Sequence, residues 1–191
     1  MESTYHEKFD NISGCLKEVG QLYELHLQKN MNLGLQVTKV VKEIKQFFEK
    51  ENAPSKIAKC ASLLSEIDII DRGYHPNSFL KIEHPKREMQ SMLFYKILQE
   101  INALITYEYE QIQDRINQAE KLIETIILSA LQNRIIDPNQ LSTPPSGEAL
   151  EELWKILAEH EVLFLIQRKA LCLVFKNDCL VSLSRVLSLI H

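Results

Sequence analysis

Steps of four and three residues separate a series that runs from Tyr5 to Phe47: Tyr5, Phe9, Ile12, Leu16, Val19, Tyr23, His26, Asn30, Leu33, Val37, Val40, Ile44 and Phe47. Eleven of these 13 positions are apolar, where the 45% hydrophobic content predicts about six. This spacing lays one apolar stripe along a helix, whereas a half-buried strand needs a period of two. The stripe holds its phase through Asn30-Met31-Asn32-Leu33-Gly34, the weakest helix-forming part of the segment. Two separate helices have no need to share a phase. The series is therefore read as one helix from about residue 4 to 50, on the order of 70 Å long. The alternative is a kink or short turn near Asn30–Gly34. At its start, Thr4 and Glu7 have the spacing of a capping box.

The rest of the chain repeats the theme. Asn52-Ala53-Pro54 ends one helix and opens another, because proline suits the first helical turn. Residues 54–71 carry Ile57, Ala61, Leu64 and Ile67 on one side, and Gly73 suits a left-handed stop. Pro85 opens a third helix that continues without Pro or Gly to Ile136, where Asp137-Pro138 stops it. A loop then leads to a last helix carrying Leu150, Trp154, Leu157, Phe164, Leu171 and Phe175, with a bend expected at Asn177-Asp178. The predicted fold class is all-α: an elongated antiparallel bundle of three long helices plus one short helix. The alternative is a compact five- or six-helix bundle with a break near Gly34. Residues 1–191 are read as a single domain, with 72–85 and 137–146 as inter-helix loops.

Charge and motif content narrow the function classes. A net charge of −4 and a pI near 5.9 argue against nucleic acid as the partner. No stretch of 18 uncharged apolar residues is present, so no membrane span is expected. The start MESTYHEKFD lacks a secretory signal pattern. Cys15, Cys60, Cys172 and Cys179 form no Cys-x-x-Cys pair, which suggests reduced, buried thiols and a cytoplasmic setting. None of the six histidines follows a Glu by three residues, so the di-iron pattern of helical bundles is missing and no metal or other cofactor is expected. Five glycines leave little material for phosphate-cradling loops, and catalytic signatures are absent.

Three features remain as candidates. His26 and Asn30 sit on the first apolar stripe, and Glu108, Glu161 and Arg168 fall near the stripes of other helices. These five are read as a possible inter-helix polar layer, either structural or lining a pocket. HLQKN (His26–Asn30) is similar over five residues to the His-x-x-Lys-Gly pattern of histidine-phosphotransfer domains, and departs from it at the last position. A phosphoryl-accepting His must be exposed, whereas the stripe predicts burial.

The second feature is the stretch from Asp71 to Glu88. It gathers Arg72, Tyr74, His75, His84 and Arg87, read as a partner-binding group; the alternative is a plain surface connection stiffened by two prolines, with Phe79, Leu80 and Ile82 tacking it to the bundle. The third is the run VLFLIQRKALCLVF, which is more apolar than one buried face requires. Such a helix is either central in its own bundle or covered by another chain. The expected function is protein–protein contact without catalysis, as a cytoplasmic adaptor, assembly component or regulator. Its partner is another protein or a second copy of the chain, with a homodimer favoured. The alternative is a small-ligand-binding or enzymatic bundle with a polar pocket.

Overall fold

Backbone hydrogen bonding rather than stripe phase decides where these helices end. The computed structural model describes residues 3–82, 86–136 and 147–189. They form seven helices: α1 Tyr5–Leu27, α2 Leu33–Lys50, α3 Pro54–Asp71, α4 Lys86–Gln132, α5 Glu148–Ala158, α6 Glu161–Leu173 and α7 Lys176–Leu189. The fold is all-α, and the described residues contain no strand, only one isolated bridge between Tyr74 and Lys81.

α1 opens with the expected capping box. The Glu7 N–H donates to Thr4 Oγ1 at 3.2 Å, and the Thr4 N–H donates to Glu7 Oε2 at 2.9 Å. The single helix expected over residues 4–50 does not form. Lys29 adopts φ 54°, and its N–H donates to the His26 carbonyl while the Asn30 N–H donates to the Leu25 carbonyl. This is a Schellman closure, which satisfies orphan carbonyls and turns the chain. The Asn32 N–H then donates to Asn30 Oδ1 at 2.9 Å, and α2 begins. α2 meets the core through its own stripe of Leu33, Val37, Val40, Ile44 and Phe47, so the shared phase did not require continuity.

The same closure recurs at Asn52, Gly73 and Arg134, with φ values of 52°, 86° and 55°. In each case the next residue's N–H reaches five residues back: Ala53 to Phe48, Tyr74 to Ile69, and Ile135 to Ala130. The stops expected at Asn52–Pro54 and Gly73 thus stand where the composition placed them. The loop expected at 137–146 lies outside the described residues.

The single last helix is replaced by three. α5 stops at Ala158, His160 takes an extended conformation, and α6 starts afresh. Val174 is also extended, and α7 follows. Asp178, buried on the third residue of α7, accepts the Phe175 N–H at 3.2 Å and the His6 N–H at 3.0 Å. These two breaks reset the stripe. α6 turns Leu163, Gln167 and Ala170 inward, so Phe164, Leu171 and Phe175 are exposed instead of continuing the run from Leu150.

Chain contacts group into two compact units. Asp10–Tyr109 forms one, burying Ile12 and Val19 of α1, Val41 and Phe48 of α2, Leu63 and Ile67 of α3, and Leu98 and Ile101 of α4. There Lys56 pairs with Glu108 and Lys59 with Glu100, tying α3 to α4. The other unit joins the residues up to Phe9 with those from Glu110 onward. Its core includes Ile123, Ile126, Trp154, Leu157, Leu163 and Leu183, and Gln167 Nε2 donates to the buried Trp154 carbonyl at 2.9 Å.

Burial pushes the Cys15 and Cys60 thiols up to about 11 and the Cys179 thiol up to about 12. Cys172, expected to be buried, is exposed on α6. Glu18 on α1 and Glu43 on α2 share a side-chain hydrogen bond, which, with burial and the Glu43 charge, raises the Glu18 carboxyl above the ordinary range. A carboxyl raised by folding binds more protons in the folded than in the unfolded chain. Its stabilising contribution is therefore present in acid and falls as pH rises through the ordinary carboxylate range to the raised value. Glu18→Gln keeps the hydrogen bond without needing the proton. It should raise the melting temperature at pH 7 relative to the unsubstituted chain and shrink that gain near pH 4. Thermal denaturation by circular dichroism across this range checks it, and an equal effect at both pH values would contradict the shared proton.

Candidate functional site

In the Asp10–Tyr109 unit the α1–α2 turn, the end of α3 and the first turns of α4 enclose a cleft of about 820 Å³. Its floor includes Leu33, Gly34 and Phe94, and its wall includes His26, Asn30, Asp71, Arg87 and Ser91. Met31 and Met92 line it from exposed positions, at 91% and 67% accessibility. Methionine suits such a rim because its unbranched thioether adapts to varied shapes.

His26 fixes the end of α1 onto α4. Its Nε2 lies 3.0 Å from the Ser91 carbonyl oxygen and 2.9 Å from Ser91 Oγ. A carbonyl only accepts, so the first contact requires a proton on Nε2, and the hydroxyl then accepts from the same N–H. In this tautomer His26 cannot draw a proton from Ser91, which removes the pair as a nucleophile and base. The imidazole further packs against Tyr95 with ring centroids 5.4 Å apart, and Tyr23 meets Tyr95 edge-on at 6.0 Å.

Around this anchor, side chains close the open ends of helices. Arg87 donates to the Lys29 carbonyl at 3.1 Å, supporting the left-handed residue that ends α1. Gln90 donates to the Ile70 carbonyl at 2.9 Å near the end of α3. Asp71 is exposed overall, yet its Oδ1 reaches to 2.6 Å from where a Cβ on Gly34 would stand. Burial first, and the Asp68 charge second, raise the Asp71 carboxyl. Phe94 Cζ lies 3.0 Å from the same point. Gly34 is therefore a close-approach residue in the first turn of α2, where any side chain would invade the cleft.

The expected polar layer is not assembled. His26 and Asn30 share the cleft wall, with His26 half-buried and Asn30 exposed. Glu108 instead pairs with Lys56 between α3 and α4. Glu161 and Arg168 are exposed on α6, because the break after α5 turned that helix about its axis. The expected loop group is also divided. Arg87 lines the cleft, Arg72 pairs with Asp68 at 2.8 Å, and His84 lies outside the described residues.

Tyr74 and His75 belong to a small hairpin in which the His75 N–H donates to the Leu80 carbonyl and the Ile82 N–H to the Gly73 carbonyl. Ile82 is buried as expected. Phe79 and Leu80 are not tacked down: they are 68% and 69% accessible, and Phe79 holds a left-handed φ of 55°. Asp71 and Ser91 were missed by residue pattern. The one signal for that region was Gly34, a glycine inside an otherwise helical stripe. Among the described residues no cluster of three His, Cys, Asp or Glu side chains is placed to hold a metal ion.

Gly34→Ala should destabilise the chain by about 1–2 kcal/mol through overpacking against Phe94 and Asp71. Gly20→Ala on α1 meets nothing within 4 Å and should stabilise by about 0.5–1 kcal/mol through helix propensity. Urea denaturation of both variants checks the contrast; if Gly34→Ala is as benign as Gly20→Ala, the close approach is refuted.

No protein-family model matches this chain, and neither does any curated protein or solved structure.

Proposed function

We propose that this chain works by binding other protein chains, as an adaptor, assembly component or regulator, in a cytoplasmic setting. The observation that carries the reading is the outward face of α6. A helix central in its bundle hides its apolar residues; α6 buries only Leu163, Gln167 and Ala170. Val162 at 69%, Leu165 at 56% and Phe164 at 43% accessibility stay open to solvent. Large exposed apolar residues gathered on one element are the usual mark of a contact surface. Four free cysteines agree with a reducing compartment. Among the described residues no helix is long and apolar enough to cross a membrane.

A second reading, small-ligand binding or catalysis in the cleft, is favoured by the meeting of His26 and Asn30 in one cavity of about 820 Å³. Glu108, Glu161 and Arg168 do not line it, which leaves the cleft without the charged set that reading named.

A photo-reactive phenylalanine analogue placed at Val162 in the full chain tests the contact reading in the cells that express it. Irradiation should attach a protein to position 162 and not to a control at Lys155, exposed on α5. Absence of any adduct at 162, repeated at Leu165, would overturn the proposal.

A further inference from the structure

The exposed face of α6 has an order of charges that says what lies on it. At 100° per residue, Glu161, Val162, Arg168, Lys169 and Cys172 all fall within about 60° of the direction of Leu165. All six residues are exposed, and the buried Leu163, Gln167 and Ala170 point the other way. The face thus has an apolar centre, one anion near its start and two cations toward its end. Glu161 and Lys169 stand symmetrically, four residues to either side of Leu165. Among the described residues Glu161, Arg168 and Lys169 enter no ion pair within the chain.

We propose that the α6 face binds a second copy of itself, antiparallel about a two-fold axis at Leu165, with Glu161 facing Lys169 of the partner subunit. This rests on the contact reading and names its partner. A two-fold axis makes the same patch meet itself with residue order reversed. Leu165 then meets its own copy, and two Glu–Lys pairs flank it. Val162 meets the aliphatic stem of Arg168 of the partner subunit. Parallel pairing would instead set Glu161 against Glu161 and Lys169 against Lys169, so the charges choose the antiparallel arrangement. α6 is 13 residues, about 20 Å long, which places the contact among small, reversible interfaces.

Sedimentation equilibrium of the full chain from about 1 to 300 µM, the range of a small interface, should show a reversible monomer–dimer equilibrium. Leu165→Glu should abolish it. Glu161→Lys and Lys169→Glu, each setting like charges opposite one another twice, should weaken dimerisation about tenfold or more. The double variant reverses both charges and should bring the affinity back to within about threefold of the original. Circular dichroism should find all four variants as folded as the parent, since the changed positions are exposed. A monomer throughout the range, or a double variant no tighter than the singles, overturns the pairing. If position 162 captures a different protein while the chain stays monomeric, self-pairing fails and the contact reading stands. If it captures nothing, both fail.

Discussion

Left-handed closure of helix ends governs this molecule. A helix leaves its last carbonyls without partners, and the chain answers that demand at Lys29, Asn52, Gly73 and Arg134 with the same hydrogen-bonded reversal. The closure at Lys29 separates α1 from α2 and creates the space beneath the turn. That at Asn52 sends the chain from α2 into α3, and those two helices pack on each other. Gly73 hands α3 to the small hairpin that ends at the buried Ile82. Remove the reversals and the apolar stripes are rods with nowhere to fold back.

The stripes themselves were legible as residues. The period, the capping box, the proline start at Pro54 and the length of α4 can all be read from the residues, and together they point to the helical class; the start expected at Pro85 lies outside the described residues. The turns were legible only where glycine or proline announces them, as at Gly73 and Pro54. A lysine or arginine in a left-handed conformation gives no such warning, since nearly every sequence contains them and few adopt it. Lys29 and Arg134 do so because two hydrogen bonds at each end outweigh a strain of about 1–2 kcal/mol. The breaks around α6 were hidden for another reason. His160 and Val174 are extended, a conformation open to any residue, so the apolar run reads across them. The cleft was legible in part: His26, Asn30 and Arg87 were singled out, but from two separate arguments. Asp71 and Ser91 come to them through tertiary packing, which leaves no local trace.

Two kinds of unfilled surface result, one in each unit. In the cleft, polar groups are spent on holding helix ends: His26 on Ser91, Arg87 on Lys29, Gln90 on Ile70. Lys29, Asp71 and Glu88 line the same cleft. On α6 the situation is inverted, with apolar side chains left over and charges unengaged among the described residues. The first pattern is that of a joint between elements. The second is that of a surface awaiting company.

The cysteines follow the same division of inside and outside. Thiols that ionise only at about 11 or 12, as at Cys15, Cys60 and Cys179, exist at neutral pH almost wholly in the unreactive protonated form. Cys172 is the most open to solvent, Cys15 being half-buried, and it lies on the same side of α6 as Leu165. A mild alkylating dye therefore reacts first at Cys172 on the native chain, and fluorescence from that position would report on whatever approaches α6.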